Sequence, residues 1–487
     1  MDETATRRKK IDPKLYGVGW EQVPESVILT EQSAYLIAPG RVERIKHSKP
    51  KKADYILEYK GRKLAVIEAK SDEKDVSEGV EQAKLYADML QIRFTYSTNG
   101  DRIWFIDMGV KDTKGNYIIP STEKEVNQFP SPQELWLMTY PEVNVWRDKF
   151  NLMAFNRDGG RSPRYYQENA INNVLNAISK KQRRILLTMA TGTGKTYTAF
   201  QIVYRLLKSG LKKKVLYLAD RNILVDQSIQ QDFAPLEKVI HKINVAKDDP
   251  STITSHEVYF SLYQQLAGND EETDNGEDPV ARFASLFQKD FFDLIIVDEC
   301  HRGSAKKDSN WRKILEYFSS AAQIGMTATP KETKYISNID YFGEPIYTYS
   351  LREGIEDGFL APFKVINITT NIGDGWRPYK GQTDIYGNEI EDRIYNNRDY
   401  DYSIILQDRI DEVAREITEY LKSTDRMQKT IVFCASEDHA ERMRVALINH
   451  NADMVKENPD YCVRITGSDV YGKSKLDYFI SVSSPYP

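Results

Sequence analysis

The chain has 487 residues, too many for one hydrophobic core, which predicts about three domains of roughly 100–200 residues each. Its 67 basic and 72 acidic residues give a net charge of -5, which excludes a global basic surface for nucleic acid. Contacts with DNA or RNA would have to use local patches. The candidates are the basic runs at residues 7–10 and 41–52, unless these are only solvated faces.

A β-hairpin that carries charged residues is the first predicted element. Residues 54–59 and 64–70 are strand-like and are separated by a short polar turn. On a strand, residues two apart share a face, so Glu68 and Lys70 project together and strand pairing can bring Asp54 beside them. Two carboxylates and an ammonium can hold one or two Mg²⁺ ions, while the lysine activates water for attack on a phosphodiester.

A helix over residues 80–87 is predicted next. Gln82 and Tyr86 are four residues apart and therefore lie on one face of this helix. In the plainer alternative, the two residues are only surface and core positions of the helix.

The stretch from residue 127 to 164 is interrupted by proline and asparagine, which predicts a domain boundary. After residue 182, short apolar strands alternate with helical patterns, as in parallel sheets covered by helices on both faces. The predicted fold class is therefore α/β, with domains at residues 1–150, 151–345 and 346–487. Strands are predicted at residues 185–187, 215–218, 294–297 and 430–434, and an exposed acidic loop at 268–278.

A phosphate-binding loop follows the apolar run 185–187. The sequence Met189–Thr196 places glycines before a helical segment, so backbone amides and the positive end of the helix dipole can face phosphate oxygens. We expect Lys195 to reach the β- and γ-phosphates of ATP and the Thr196 hydroxyl to hold Mg²⁺. Met189 stands where the general pattern has glycine. The other loop residues expected to bind ATP are Thr191, Gly192, Thr193 and Gly194.

Two carboxylates, Asp298 and Glu299, end the apolar run 294–297. In α/β sheets the carboxyl ends of the strands carry the chemistry. We expect Asp298 to hold Mg²⁺ and Glu299 to orient and deprotonate the attacking water in ATP hydrolysis. Such a pair is weak evidence alone, and it gains weight from the phosphate-binding loop upstream.

The cysteines and the N-terminus predict the compartment. Cys300, Cys434 and Cys462 are odd in number and widely spaced, which favours reduced thiols over a disulfide framework or a zinc site. The N-terminus is charged and lacks the apolar region of a signal peptide, and no apolar stretch has membrane length. A soluble cytoplasmic protein without a membrane partner is therefore expected.

The motor half resembles the superfamily 2 helicases and translocases. Asp298-Glu299-Cys300-His301 is similar to their D-E-x-H box, and residues 325–330 are similar to their T-A-T motif. Residues 164–167 look like their Q-type element, which implies that Gln167 reads the adenine edge, and residues 219–227 look like their first nucleic-acid contact. Plainer alternatives are packing for Tyr165 and Tyr166, a surface pair for Asp220 and Arg221, and turn formation for Thr327 and Thr329.

A second motor lobe is predicted to begin near residues 360–363 and to contain the strand 430–434 and a helix through residues 441–447. Family members carry further motifs, including arginines that reach the γ-phosphate, and this sequence ends at Pro487 without them. We therefore expect a fragment that binds ATP but hydrolyses it weakly, since an arginine finger is worth about 10³–10⁵ in rate.

The N-terminal half resembles the PD-(D/E)xK nucleases of the RecB type. Ala53 stands where the name-giving proline would be. The resemblance implies catalytic roles for the motif residues and for the Q-x-x-x-Y helix, with Mg²⁺ held by the two acids. The matching residues are Asp54, Glu68, Lys70, Gln82 and Tyr86.

Together the two halves resemble the restriction subunit of type I restriction-modification enzymes, over about residues 3–487. Glu3 resembles the acid of the opening helix, which completes the metal site in that family. The resemblance implies an N-terminal PD-(D/E)xK nuclease domain, a RecA-like parallel-sheet motor domain and a second, incomplete RecA-like domain. It also implies ATP and Mg²⁺ as cofactors, translocation and cleavage of double-stranded DNA, and methyltransferase and specificity subunits as partners.

Two other functions are open on the sequence. A DNA-repair helicase-nuclease would act without a methylating partner, and co-purification with such a partner on a DNA column would distinguish the two. A non-catalytic, ATP-gated DNA switch would use its carboxylates for structure, and cleavage retained by Asp54→Ala in the full complex would favour it.

Overall fold

A computed structural model describes most of the chain, which forms two compact units, Met1–Phe363 and Lys364–Pro487. The basic run up to residue 51, the nucleic-acid contact at 220–227, the acidic tract and His301 lie outside the described residues. The described residues are 1–30, 52–112, 115–219, 228–244, 247–262, 279–300, 310–329, 332–333, 336–367, 375–384, 387–396, 399–400, 404–467 and 469–481.

A mixed six-stranded sheet forms the N-terminal part of the first unit. The strands of this part are β1 (Ser26–Thr30), β2 (Tyr55–Tyr59), β3 (Arg62–Ala69), β4 (Phe94–Thr98), β5 (Ile103–Asp107), β6 (Val110–Lys111), β7 (Tyr117–Ile119) and β8 (Thr122–Val126). The sheet order is β1-β2-β3-β4-β5-β8, in which β3 and β4 are parallel and the other neighbours are antiparallel. Strands β6 and β7 form a separate antiparallel pair.

Short helices surround this sheet. The α-helices are α1 (Glu3–Thr6), α2 (Asp12–Gly17), α3 (Val80–Met89), α4 (Pro132–Thr139) and α5 (Val145–Asn151). A π-helical turn, Arg7–Ile11, joins α1 to α2, and a 3-10 turn, Val76–Gly79, leads into α3. The predicted helix over residues 80–87 is therefore confirmed.

The predicted hairpin is confirmed as β2 and β3. Lys60 and Gly61 have φ angles of 50° and 68°, and two consecutive positive values are what a type I′ hairpin turn requires. Leu57 and Ile67 belong to the apolar cluster on one face of the sheet, whereas Ile56 belongs to the cluster on the other. Because both faces are covered, the strands are continuous apolar runs and the charged residues collect at their ends.

A seven-stranded sheet forms the rest of the first unit. The strands are β9 (Arg184–Met189), β10 (Val215–Ala219), β11 (Ile240–Lys242), β12 (Val258–Leu262), β13 (Leu294–Val297), β14 (Ala322–Thr327), the short pair β15 (Glu332–Thr333) and β16 (Ile336–Ser337), and β17 (Pro345–Tyr349). The sheet order is β11-β12-β10-β13-β14-β9-β17, and all neighbours are parallel. The predicted strands at 185–187, 215–218 and 294–297 are confirmed.

Helices cover this parallel sheet, and an apolar cluster lies on each face of it. The α-helices are α6 (Tyr165–Ser179), α7 (Lys195–Lys208), α8 (Pro250–Ile253), α9 (Pro279–Leu286), α10 (Asn310–Tyr317), α11 (Asn338–Phe342) and α12 (Leu351–Glu356). Two 3-10 turns, Asp158–Gly160 and Ala234–Val239, complete this part. No helix within the described ranges is both long and apolar enough to cross a bilayer.

The regular structure described in the second unit consists of helices and isolated β-bridges. Its helices are α13 (Gln407–Ser423), α14 (Glu437–His450), α15 (Ala452–Glu457), α16 (Val470–Ser474) and α17 (Leu476–Ile480). Helices α13 and α14 pack together through a small apolar cluster that contains Ile410, Ala414, Met443 and Ala446. The predicted helix through residues 441–447 is confirmed within α14.

The predicted strand at residues 430–434 is wrong. Val432 and Cys434 pack partly against the cluster between α13 and α14, whereas Ile431 is 62% exposed and Phe433 is 92% exposed. The alternation that suggested a strand is therefore real, but a strand also needs a hydrogen-bonded neighbour. The described residues of this unit form only isolated bridges and no sheet, so they do not display the second RecA-like fold.

Gly61→Ala is expected to destabilise the hairpin by more than the backbone strain of a positive φ alone. A Cβ atom at Gly61 would lie 2.4 Å from the carbonyl oxygen of Asn151, so α5 would have to shift. The positive φ adds a cost of about 1–2 kcal/mol. We expect differential scanning calorimetry to show a fall in melting temperature of about 2–4 °C for each kcal/mol lost.

Gly210→Ala is the matched control for this variant. Gly210 has a φ of 69°, almost that of Gly61, but a Cβ atom there would meet no atom within 4 Å. The control should therefore show the conformational cost alone. Equal losses of melting temperature in the two variants would contradict the packing explanation.

Candidate functional site

Asp54, Glu68 and Lys70 lie together at one end of the hairpin, as the sequence predicts. Asp54 directly precedes β2, and its Oδ2 accepts a hydrogen bond of 2.7 Å from the Ala69 backbone N–H at the end of β3. Lys70 Nζ donates to Glu68 Oε1 at 2.7 Å. Both carboxylates are buried, with Asp54 5% and Glu68 2% exposed. The hairpin therefore gathers two buried acids and one amine.

Burial gives these charges unusual electrostatics. Burial, with the neighbouring Asp54 charge adding to it, raises the pKa of Glu68 to about 8. Burial also raises the pKa of Asp54, although the Ala69 N–H opposes the shift. For Lys70, burial lowers the pKa, but the hydrogen bond and charge of Glu68 outweigh it, so the net shift is upward. The cluster is therefore short of positive charge.

A divalent cation fits this cluster. Glu68 Oε2 is buried and has no hydrogen-bond partner among the described residues, which is a costly state that a metal ion would relieve. In the described ranges, no three acid, imidazole or thiol groups converge closely enough to hold an ion alone. An ion at Asp54 and Glu68 would therefore keep water ligands, which is usual for Mg²⁺.

Gln82 and Tyr86 lie on one face of α3, as predicted. Gln82 Nε2 donates to the Tyr86 hydroxyl at 3.0 Å. Burial raises the pKa of Tyr86, and the charges of Glu68 and Asp54 add to this shift, so the phenol lies within the field of the acid cluster. Of the pair, Tyr86 is buried and Gln82 is half-buried.

Gly79 contributes to the site, and sequence reasoning missed it. A Cβ atom there would lie 2.3 Å from Ser97 Oγ, 3.2 Å from Glu68 Cγ and 3.4 Å from Lys70 Cε. Its φ is -93°, so the position needs glycine for space and not for backbone conformation. A tertiary contact of this kind leaves no signal in the local sequence pattern.

The N-terminal helices bring Glu3 and Arg7 to the same cluster. Glu3 is half-buried in α1, and its charge contributes to the raised pKa values of Asp54 and Glu68. Arg7 Nη2 donates to the Asp54 backbone carbonyl at 3.1 Å, and Arg7 Nη1 lies 3.5 Å from Asp54 Oδ1. The sequence placed Arg7 only in a basic run, because its partner is 47 residues away.

The predicted phosphate-binding loop connects β9 to α7. Gly192 and Gly194 both have a φ of 79°, and a Cβ atom at Gly194 would lie 2.5 Å from Gln167 Nε2. Thr193 is buried and its hydroxyl donates to the Ala190 carbonyl at 2.6 Å, so this side chain shapes the loop. Thr191 and Gly192 are exposed, and Gly194, Lys195 and Thr196 are half-buried at the start of α7. Met189 is the last, fully buried residue of β9, which explains why this position does not need glycine.

Asp298 and Glu299 follow β13 directly, at the same edge of the sheet as the loop after β9. Lys195 Nζ lies 3.3 Å from Glu299 Oε1, and the Tyr217 hydroxyl donates to Asp298 Oδ2 at 3.0 Å. Glu299 has a φ of 48°, a left-handed conformation that is rare outside glycine and is often found at functional sites. Burial, with the Glu299 charge adding to it, raises the pKa of Asp298. This donor set suits a divalent cation and the phosphates of a nucleotide.

Cys300, which follows these carboxylates, is buried in the core. Its backbone N–H donates to the Met326 carbonyl at 3.0 Å, and burial raises the pKa of its thiol. Cys434 and Cys462 are half-buried, and burial raises the pKa of Cys462 to about 11.

Both ends of the Gln167 amide group are hydrogen-bonded, one to the start of its own helix and the other to the loop. Its Oε1 accepts from the Arg164 N–H at 2.9 Å, and its Nε2 donates to the Thr193 carbonyl at 2.8 Å. Tyr166 also donates to the Thr193 carbonyl, and its ring stacks on Tyr349 with centroids 4.0 Å apart. The tyrosine therefore packs as the plainer alternative expected, while the adenine contact of Gln167 stays a prediction.

The T-A-T motif lies at the end of β14, beside β9 and β13. The Thr327 hydroxyl donates to the Thr329 carbonyl at 2.9 Å and accepts from the Thr329 N–H at 3.2 Å. Both threonines thus form a local turn at the sheet edge that carries the loop and the carboxylates.

Comparison with known proteins places both halves of the chain among restriction enzymes. Residues 161–332 match the family described as type III restriction enzyme, res subunit. Residues 42–122 match the family described as type I restriction enzyme EcoKI endonuclease subunit second domain. The first match covers every strand of the seven-stranded sheet except β17, and the second covers β2 to β5 of the six-stranded sheet.

Relatives extend this likeness along the chain. The type I restriction enzyme EcoAI endonuclease subunit of Escherichia coli is 46% identical over 98% of this chain and 58% of its own length. The EcoKI endonuclease subunit of Escherichia coli strain K12 is 31% identical over 77% of this chain and 34% of its own length. This chain therefore spans less than two thirds of these curated relatives.

A solved structure matches along the whole of this chain. It is a fragment described as that of an HsdR subunit of a type I restriction enzyme from Vibrio vulnificus YJ016. It is 35% identical, covers 100% of this chain and 82% of its own, and has a TM-score of 0.75. With the acid cluster, the nucleotide loop and these relatives in agreement, the chain belongs to the family of type I restriction enzyme endonuclease (HsdR) subunits.

Proposed function

We propose that this chain carries the nuclease and the motor of a type I restriction enzyme. It would use ATP to move double-stranded DNA and would cut that DNA with Mg²⁺ at the Asp54 cluster. The observation that carries the proposal is the convergence of Asp54, Glu68 and Lys70 on a buried hairpin, in a chain whose second sheet carries a glycine loop with Lys195 beside Glu299.

In the nuclease, Asp54 and Glu68 would hold the cation, with Glu3 as a further acid. Lys70, kept as an ammonium by its raised pKa, would orient a water molecule and stabilise the negative charge that develops as the water loses its proton to solvent. Water attack forms a new P–O bond and expels one of the two sugar oxygens of the phosphodiester, which then takes up a proton. Mg²⁺ bound at this site would supply a Lewis acid for the charge on the phosphate. Gln82 and Tyr86 would position DNA or water beside the acids.

In the motor, the amides of residues 191–194 and the Lys195 ammonium would bind the phosphates of ATP. Thr196 and Asp298 would hold Mg²⁺, Glu299 would orient and deprotonate the attacking water, and Gln167 would contact the adenine. The short distance between Lys195 and Glu299 supports this assignment, because both groups are within reach of one ligand. We retain the domain limits 1–150, 151–345 and 346–487, the last as an incomplete RecA-like domain, as part of the proposal.

The proposed partners are double-stranded DNA and the methyltransferase and specificity subunits of the same system, in the cytoplasm. The support is membership of a family whose relatives are type I restriction endonuclease subunits. Co-purification of the tagged chain with both subunits on a DNA column would support this assembly. Retention on DNA without a methylating partner would instead favour a DNA-repair helicase-nuclease.

Glu68→Gln or Lys70→Ala is expected to stop DNA cutting by the assembled enzyme while sparing ATP consumption. Loss of one precisely placed polar group costs about 10²–10³ in rate, so cleavage should become hard to detect. The two activities are measured on the same preparation by plasmid linearisation and phosphate release. ATP consumption should not change, because the two sites lie on different sheets.

Glu58→Gln is the matched control for the nuclease variants. Glu58 is half-buried in β2, and burial raises its pKa. It lies opposite Lys63 on the neighbouring strand, near the turn and away from the acid cluster. This variant should cut DNA normally. Simultaneous loss of cleavage and ATP consumption in Glu68→Gln would sink the two-site assignment.

Lys195→Ala is expected to abolish ATP binding and translocation while leaving the N-terminal sheet folded. Removal of the ammonium takes away the positive charge beside Glu299 and the expected phosphate contact. Titration with a fluorescent ATP analogue measures binding, and hydrogen exchange of residues 55–69 reports the sheet. Lys208→Ala, at the other end of α7, is the control and should bind ATP normally. Nucleotide affinity unchanged in Lys195→Ala would contradict the loop assignment.

A further inference from the structure

The N-terminal segment lies across the end of the nuclease hairpin and is held there by several polar contacts. Lys10 Nζ bridges Asp72 and Asp101, at 3.1 and 2.7 Å. Lys14 Nζ donates to the Gly100 carbonyl at 2.6 Å. These contacts fix residues 1–17 on the same surface as the acid cluster, so a side chain on this segment has a defined position relative to Asp54.

Arg7 begins the π-helical turn between α1 and α2. Such turns add a residue to a helix, re-aim the side chains and are frequent at functional sites. The guanidinium carbon of Arg7 lies 4.6 Å from the centre of the Tyr55 ring, and the Tyr55 hydroxyl donates to Asp12 Oδ1 at 2.7 Å. The ring is thus held by α2 and supports the arginine, whose side chain is 16% exposed.

The two carboxylate oxygens of Asp54 have different partners. Oδ2 accepts a hydrogen bond of 2.7 Å from the Ala69 N–H, which fixes this oxygen to the sheet. Oδ1 lies 3.5 Å from Arg7 Nη1, which is longer than the roughly 2.7–2.9 Å of a strong charge-assisted hydrogen bond. Arg7 makes a shorter hydrogen bond to the Asp54 backbone carbonyl, at 3.1 Å. Oδ1 therefore stays open to a cation, with a guanidinium beside it.

We propose that Arg7 is a further catalytic residue of the nuclease, which binds the phosphate being cut. Without metal, the Arg7 guanidinium partly neutralises Asp54 Oδ1. With metal and DNA present, the Arg7 side chain rotates so that its N–H groups donate to the phosphate oxygens. The inference rests on the proposed nuclease function and adds a substrate-binding group to it.

The chemistry of the guanidinium supports this role. A planar guanidinium can bind two phosphate oxygens at once and keeps its charge at all relevant pH values. Repulsion between Arg7 and a divalent cation at Oδ1 would favour the move toward DNA, because the phosphate is the nearest new anion. Lys70 donates to Glu68, whereas Arg7 lies beside Asp54 as a second positively charged group at the cluster.

Arg7→Ala, Arg7→Lys and the control Arg102→Ala test the proposal with two readouts. The first is Mn²⁺ binding to this chain by titration calorimetry, with the Glu68→Gln isotherm subtracted so that the nuclease site alone is read. The second is DNA cleavage and ATP consumption by the assembled enzyme. Arg102 directly precedes β5 of the same sheet but pairs with Asp75 and Glu125 and not with the acid cluster.

We expect opposite changes in the two readouts. Arg7→Ala should bind Mn²⁺ several-fold more tightly, because a positive neighbour is gone, while cleavage falls by about 10²–10³ and ATP consumption is unchanged. Arg7→Lys keeps a positive charge beside the Tyr55 ring, so it separates loss of the guanidinium from a folding defect. This variant should show the Mn²⁺ affinity of the parent chain and recover only part of the cleavage. Arg102→Ala should match the parent chain in both readouts.

Two results would overturn the inference. One is cleavage by Arg7→Ala at the parent rate. The other is a joint loss of Mn²⁺ binding and cleavage in Arg7→Ala, which would mean that Arg7 only holds the N-terminal segment in place. The nuclease assignment itself is tested separately by Glu68→Gln. If Glu68→Gln is inactive while Arg7→Ala cuts normally, only the role of Arg7 fails, whereas cleavage by Glu68→Gln would remove the nuclease proposal as well.

Discussion

The placement of two neighbouring carboxylates beside a lysine, with one or both of the acids buried, is the constraint on which both candidate sites of this chain depend. Asp54 and Glu68 are buried beside Lys70 at the end of a hairpin, and the buried Asp298 and half-buried Glu299 lie beside Lys195 at the end of a parallel strand. Neighbouring acids in a buried environment repel each other and lose hydration, so each cluster favours the arrival of further positive charge. The same electrostatic arrangement thus serves two folds of different topology.

Helix α6 ties the two sites into one body. On its first turn, Tyr166 and Gln167 donate to the Thr193 carbonyl of the nucleotide loop. On the next residues, Glu168 pairs with Lys63 of β3 at 2.6 Å, and Asn169 donates to the Met89 carbonyl at the end of α3. Adjacent positions of one helix therefore contact the glycine loop before α7, strand β3, which carries Glu68, and helix α3, which carries Gln82 and Tyr86. A rigid connection of this kind explains why the N-terminal sheet and the parallel sheet form a single compact unit.

The sequence predicted the elements whose signals are local. The two positive φ angles at Lys60 and Gly61 match a short polar turn, and the loop between β9 and α7 matches a glycine pattern, so both could be read residue by residue. Positions that depend on distant parts of the chain were not readable. Arg7 reaches Asp54 across 47 residues, and Gly79 is required only because Ser97 and Glu68 approach it. The apolar alternation at 430–434 was read correctly as a pattern, but pairing with another strand is a property of the whole unit.

The distribution of the three thiols has a practical consequence for spectroscopy. Cys300 lies in the core beside the motor carboxylates, with its thiol shielded and its pKa raised by burial, so an alkylating dye has no route to it. Cys434 and Cys462 are more accessible, and the high pKa of Cys462 slows its reaction at neutral pH. A maleimide fluorophore will therefore attach outside the core that holds Cys300. The native thiols thus offer an optical reporter on the unit after Phe363, without the need to remove Cys300.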